Sequence, residues 1–321
     1  MALPPSVAGL TFRPATLDDA AGLAAHTAKV HRAEQLDFVP GEEFFRWLMG
    51  QPNLDPGADM LLGVDTDGAI VADGGAWATL TDEGARVILW FETSPDWAAT
   101  KPDLLDWAET RAAEQLKGVT TEWTVRVPVE EHRKPHRAII EEAGFEVGRS
   151  FVEMYRPLDD LPDPPELPSG IEVTPWQPAH TQAARLASNA AFASHWGTLP
   201  LTDEQWRALI TESETFQADL SYVAIAEGDV VAFCLGEVDR EHNENEGVEE
   251  LWLPRIGTIP SMQRRGIATA LIVASLLAGK DAGLERAGLD VDESSTTNAT
   301  LVYERIGFEA AKRSLQYIKS A

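Results

Sequence analysis

A strand that must stop, a helix that must start and a short turn between them constrain this chain more than any other feature. Leu251-Trp252-Leu253 runs on through Ile256 to Ile259 as an apolar strand, and Pro260 closes it. Ile267, Leu271, Ile272, Leu276 and Leu277 recur at helical spacing, which predicts a helix over 267–278. Between them stands Gln263-Arg264-Arg265-Gly266-Ile267-Ala268-Thr269. A helix start carries unpaired N–H groups and the positive end of the helix dipole, a ready seat for phosphate. Gly266 lets a ligand approach the backbone, and Ala268 keeps the first turn slim. The formal charge of −26 makes Arg264-Arg265 conspicuous, because an acidic protein that holds an anion needs local positive charge.

At 321 residues, 44% of them hydrophobic, the chain suits two packed domains. Prolines 157, 162, 164, 165 and 168, with acidic residues between them, read as an extended linker. The expected organisation is 1–156, a linker over 157–170, and 171–321. The halves look like copies of one unit. Asp59 to Ala72 aligns without gaps on Asp219 to Ala232, each reading as a hairpin with an acidic-Gly turn, and Gly144-Phe145 matches Gly307-Phe308. The first copy lacks the glycine turn. In its place stands Ala98-Ala99-Thr100-Lys101-Pro102-Asp103, where Pro102 removes an N–H and Asp103 adds a negative charge. Ile140 occupies the place of Tyr303. The first half is therefore expected to bind no phosphate ligand and to do no chemistry.

No apolar run approaches the ~20 residues that span a bilayer. The start, Met1-Ala2-Leu3-Pro4-Pro5, lacks the basic and apolar regions of a signal peptide, and the single Cys234 suits a reducing cytoplasm. Cys234 reads as a small buried hydrophobe. The acidity argues against nucleic acid and anionic membranes. A metal site is not expected: Glu241 to Glu246 reads as a solvated hairpin loop, and Pro135 spoils a helix between His132 and His136. No Walker loop, dinucleotide fingerprint or nucleophile elbow is present.

The segment Ile256-Gly257-Thr258-Ile259-Pro260 to Ala268 resembles the acyl-CoA signature of the GCN5-related N-acetyltransferases (GNAT), Gln/Arg-x-x-Gly-x-Gly/Ala after a short strand and a proline. Leu289 to Phe308, with Tyr303-Glu304-x-x-Gly307-Phe308 and a last strand from Arg313 to Ile318, resembles the same family's second half. The tandem layout is similar to two-domain actinobacterial members, mycothiol synthase among them. The resemblance implies an α/β (α+β) chain of two GNAT folds, each a mixed, mostly antiparallel sheet flanked by helices, the second one catalytic. It implies acetyl-CoA as acyl donor and a primary amine on a small molecule as acceptor. A protein or peptide N-terminal acetyltransferase and a non-catalytic acyl-CoA-binding regulator are the alternatives. Fused units make self-association unneeded, so a monomer is expected.

The same resemblance implies the roles of single residues. Pantetheine would pair with Ile256, Gly257 and Thr258 between two splayed strands, and the pyrophosphate would rest on the turn from Gln263, Arg264, Arg265 and Gly266 to Ile267, Ala268 and Thr269. Tyr303 holds the position of the acid that protonates the leaving thiolate, a suitable match for a thiol of pKa ~8.5. The family often places Asn seven or eight residues before this tyrosine; here Ser295 and Thr296 stand there, and Asn298 lies nearer. For the base, Asp290 is preferred narrowly over Glu250, and Trp252 stands where some relatives carry Glu. Acceptor selection would fall to Asn189, His195 and Trp196. Thr202 with Gln205 reads as a capping box.

Overall fold

The computed structural model describes every residue except Met1, Asp37, Phe38, Glu83, Trp196, Gly197, 294–298 and Ala321, and the side chain of Glu246. Elements follow in chain order: β1 (Thr11–Pro14), α1 (Ala20–Glu34), α2 (Glu42–Met49), α3 (Pro56–Asp59), β2 (Met60–Val64), β3 (Ile70–Thr81), β4 (Gly84–Thr93), α4 (Lys101–Gln115), β5 (Trp123–Glu130), α5 (Lys134–Glu142) and β6 (Glu146–Pro157). The second series is β7 (Ile171–Pro175), α6 (Thr181–Phe192), α7 (Asp203–Trp206), β8 (Tyr222–Ala226), β9 (Asp229–Glu237), α8 (Arg240–Glu246), β10 (Glu250–Thr258), α9 (Ile267–Asp281), β11 (Arg286–Asp292), α10 (Ala299–Ile306) and β12 (Glu309–Ser320).

The chain forms two compact units, 1–150 with 314–321, and 151–313. This division differs from the one expected at the prolines. In the first unit β1 to β4 pair antiparallel in sequence order, β4 pairs parallel with β5, and β5 pairs antiparallel with Ser314–Ser320 of β12. In the second, β7 to β10 pair antiparallel, β10 pairs parallel with β11, and β11 pairs antiparallel with Phe151–Pro157 of β6. Both sheets therefore have one topology, and each is completed by a strand from the other half of the sequence. The tail expected to finish the second half instead pairs with β5, where Leu315 and Tyr317 enter the first unit's core. Val152 and Met154 of β6 enter the second unit's core in return.

The proline segment is irregular as expected, yet it is docked on the second unit. Leu158 is buried, Leu161 and Leu167 pack on the same core, and Lys280 Nζ donates to the Asp159 carbonyl. Both hairpins form, with left-handed residues at Gly68 in one turn and at Glu227 and Gly228 in the other. The capping box forms too: Gln205 N donates to Thr202 Oγ1 at 3.2 Å, and Thr202 N to Gln205 Oε1 at 3.1 Å. Two expectations are corrected. Arg240–Glu246 is a short helix, capped by the Asp239 carboxylate and ended by left-handed Gly247. Pro135 opens α5 rather than breaking it, because the first turn of a helix needs no N–H there.

In the second unit one sheet face carries Leu251, Leu253, Ala287, Leu289, Val291, Val152 and Met154 beneath α9 and α10. The opposite face carries Val223, Phe233 and Leu235 against α6 and Trp206. Among the described residues no helix is long and apolar enough to cross a membrane.

Candidate functional site

β10 and β11 are in parallel register only from Glu250 to Trp252, opposite Arg286 to Gly288. Beyond that β10 pairs with β9 alone, across a bulge between Trp252 and Arg255 that contains Pro254. The bulge switches the side-chain alternation. Leu251 and Leu253 face α9 before it, as Ile256 does after it, while Arg255 and Gly257 face α6. The two strands thus part, and among the described residues the β11-facing edge of β10 has no strand partner beyond Trp252.

The turn that follows is held open by two left-handed residues, Arg264 at φ 62° and Gly266 at φ 78°. Gly266 caps α9, and no side chain caps the helix. Ala270 N is the first amide to find an acceptor, the Gly266 carbonyl at 3.0 Å. Among the described residues the amides from Arg264 to Thr269 have no hydrogen-bond acceptor. Arg264, Arg265 and Gly266 are exposed, whereas Ile267 is buried and anchors the first turn. Gln263 Nε2 donates to the Thr258 carbonyl at 3.2 Å and ties the loop to the strand. The Thr258 hydroxyl is buried with no hydrogen-bond partner among the described residues. A row of free amides beside exposed arginines, and an orphaned hydroxyl at the strand end, fit an anionic, hydrogen-bonding ligand such as coenzyme A. Gly257 owes its identity to packing: a Cβ there would sit 2.5 Å from Phe233 Cζ.

Tyr303 is buried in the core beneath the sheet, its ring 6.1 Å from Phe308. Among the described residues its hydroxyl has no hydrogen-bond partner. Burial, then the nearby Cys234, pushes the phenol above its ordinary value, so it stays protonated. Cys234 is wholly buried, and burial pushes its thiol up to about 12, which agrees with the reading of it as a small hydrophobe.

The opposite face of the same strands is polar. Trp252, Gly288 and Tyr155 lie in register across β10, β11 and β6, and the two rings close over Gly288, where a Cβ would be 2.6 Å from Trp252. Arg286 lies 4.7 Å from the Tyr155 ring centre and is ion-paired with Glu250. That pair leaves Glu250 buried and engaged, a poor position for a base. Asp290 stands opposite Glu153, and the Tyr155 hydroxyl donates to Glu153 Oε2 at 3.0 Å. Lost hydration and then repulsion from Glu153 push the Asp290 carboxyl up to about 7. Asp290 keeps an exposed face, so water and an acceptor can reach its carboxyl. Glu237, opposite Trp252 on β9, is pushed up to about 7 by burial, against a hydrogen bond from Thr215. Glu153, Tyr155 and Glu237 escaped the sequence reading. Glu237 could have been suspected as the charge that ends an apolar strand, but nothing local marks Glu153.

His195 lies 4.8 Å from the Phe192 ring, lowered by burial and raised by Asp292, so it is on this face. Asn189 is engaged elsewhere: its amide donates to the Leu201 carbonyl at 3.1 Å and accepts from Leu201 N at 3.0 Å, a clip for the loop. Trp196, Ser295, Thr296 and Asn298 lie outside the described residues.

The first unit repeats the parted strands. β4 and β5 are in register only from Ala85 to Ile88. Thr93 pairs with Ala72 as Thr258 pairs with Ala232, which sets Glu92 at the place of Gly257. Arg133, just after β5, grips Glu92 at 2.7 and 2.8 Å and Glu34 at 2.5 Å. Lys101 Nζ reaches Glu34 at 2.8 Å and His136 Nδ1 at 3.1 Å. Glu34, Glu92 and His136 are close enough together to suggest a metal site, but Lys101 and Arg133 already neutralise them. Ser94, His26 and Asp73 also form a chain, at 3.3 and 3.2 Å, but all are buried and serve as a core polar network.

Comparison with known proteins agrees with this geometry. The acetyltransferase (GNAT) family matches residues 182–308. A mycothiol acetyltransferase of Thermobispora bispora is 31% identical over 172 residues, 52% of this chain and 56% of that protein. One of Actinosynnema mirum is 32% identical over 171 residues, 53% of this chain and 54% of that protein. The chain thus spans about half the length of these curated relatives. In fold it is similar to a GCN5-related N-acetyltransferase from Sphaerobacter thermophilus, with TM-score 0.75 and 23% identity over 98% of this chain and 97% of the other. It is also similar to a tandem GNAT protein from the clavulanic acid biosynthesis pathway, with TM-score 0.67 and 14% identity over 97% and 98%. Residues 182–308 therefore belong to the GNAT acetyltransferase family, and the chain has the fold of two GNAT units in tandem.

Proposed function

We propose that the second unit moves an acetyl group from acetyl-CoA to a primary amine of a small molecule by direct attack, and that the first unit does no chemistry. The observation that carries this reading is the row of unpaired amides from Arg264 to Thr269, placed where β10 has parted from β11. Acetyl-CoA would supply an activated acyl group on a thiol leaving group. Its diphosphate would be held by those amides and by Arg264 and Arg265, and its pantetheine by the edge of β10 at Ile256, Gly257 and Thr258. A backbone N–H at the bulge would polarise the carbonyl; Leu253 or Arg255 can give it, since Pro254 has none.

Asp290, with a carboxyl displaced toward neutrality, is the group to take the ammonium proton, and Glu250 is set aside because Arg286 holds it. Tyr303, kept protonated, would return a proton to the departing sulfur. The mycothiol acetyltransferase relatives support a small acceptor. Arg133 and its partners stand where a cofactor would enter the first unit, which supports its inactivity. A cytoplasmic, monomeric enzyme belongs to the same proposal. The test is free-thiol release from acetyl-CoA across a panel of amines, for the wild type and Gly266→Asp. Turnover with some amine by the wild type, lost in the variant, is expected. Turnover with none counts against the enzyme, and equal turnover by both removes the loop from the mechanism.

A further inference from the structure

Asp290 and Glu153 are direct partners in the antiparallel register of β11 and β6, so their side chains leave the sheet on one face. That face is the polar one, because Gly288 and Tyr155, two residues away on the same strands, meet the Trp252 ring there. Glu153 accepts the Tyr155 hydroxyl, which favours its ionised form. Asp290 has no hydrogen-bond partner among the described residues. Two carboxyls opposed on neighbouring strands do not both ionise freely, and the one without a donor is the one that holds the proton longer.

We propose that Glu153 is the positioning residue of the acceptor side: acting through Asp290, it sets that carboxyl as the base for the amine, so the amino-terminal half of the sequence, through β6, supplies part of the second unit's reaction. This rests on the acetyl-transfer reading above. The ammonium of the acceptor gives one proton to Asp290, which passes it to water. The free amine nitrogen bonds to the acyl carbon as the carbon–sulfur bond breaks, and the sulfur takes a proton from Tyr303. Tyr303 is restored by the remaining excess proton on nitrogen, so the sum is amide, free thiol and one released proton. Among the described residues, the charged groups on this face include Arg286 and Asp292 on β11, Glu250 and Arg255 on β10, Glu237 on β9 and His195 after α6. Of these Arg286 is spent on Glu250, and Arg255 donates to Ser188 Oγ at 3.0 Å.

The test uses the full chain with Glu153→Gln, which keeps the shape and removes the charge, and Tyr155→Phe, which removes one hydrogen bond from Glu153. Two readouts are taken: kcat/KM for the acceptor against pH, and the titration of the Asp290 carboxyl followed by carbon NMR with Asp290→Asn as assignment control. Glu153→Gln is expected to move both the acid limb and the Asp290 titration down by roughly one pH unit. Its kcat/KM should fall about tenfold at neutral pH, while affinity for acetyl-CoA stays within about twofold. Tyr155→Phe should shift both measurements in the same sense but less, since Glu153 then competes for the proton. An acid limb and an Asp290 titration both unmoved in Glu153→Gln would overturn the proposal. If the wild type turns over no amine, the enzyme reading fails, and the NMR titration still decides the coupling of Asp290 to Glu153.

Discussion

Gly266 sits at φ 78°, and a Cβ there would meet only Pro165 Cγ at 3.9 Å, so backbone conformation alone requires the glycine. A side chain in that left-handed well costs about 1–2 kcal/mol. An aspartate adds its charge to the amides proposed to hold a diphosphate. Gly266→Asp should therefore raise the dissociation constant of acetyl-CoA by at least about tenfold in calorimetry, with the fold intact. Unchanged affinity would place the ligand elsewhere. Tyr303→Phe separates chemistry from packing. Its hydroxyl has no partner among the described residues, so its loss should barely move stability while kcat falls on the order of 10²-fold and acetyl-CoA still binds. A variant as active as the wild type would make Tyr303 a packing residue.

At the scale of elements, the first unit's parted strands are closed by charge. Glu92 is half-buried, and Arg133 holds its carboxyl down at about 2 in spite of the lost hydration. Burial pushes His136 down to about 3, and neutral His136 accepts from Lys101. The sign follows from this. An unfolded imidazole takes a proton as pH falls through ~6.5, and the folded one refuses it until about 3, so folding weakens over that window as pH drops. The slope approaches ~1.4 kcal/mol per pH unit from this group. Urea unfolding at pH 7, 6, 5 and 4 should show a shallower pH slope in His136→Gln than in the wild type; equal slopes would contradict the neutral, buried imidazole.

Much at this scale was legible in sequence. The loop between β10 and α9, both hairpins and the capping box rest on contacts within a few residues, where glycine, charge and hydrophobic spacing speak directly. The strand exchange was not legible. β6 and β12 alternate only where they enter a core, around Val152–Arg156 and Leu315–Tyr317, and a period of two names a face without naming a partner. Pro135 misled because position within a helix, not presence, decides what proline does. Glu153 was missed for the same reason as the exchange: its importance comes from Asp290, far along the chain.

For the whole molecule, the exchanged strands mean that neither sequence half carries a complete sheet. Leu315 is 7% exposed and Tyr317 1%, and both lie in the first unit's core, with Arg137 Nε donating to the Tyr317 hydroxyl at 3.0 Å. Deleting 314–321 should cost about 1.5–3 kcal/mol for each such side chain and open β5 to hydrogen exchange, while α9 stays protected. Protection of β5 equal to the wild type would show that the tail is dispensable to that sheet.

Hydrogen exchange of the full chain with and without acetyl-CoA tests the central claim most directly. The prediction is slowed exchange from Arg264 to Thr269 and along the edge of β10, at a stoichiometry of one, with the segment from Ala98 to Asp103 unchanged. Slowing confined to that first-unit segment, or in neither place at saturating ligand, would contradict it.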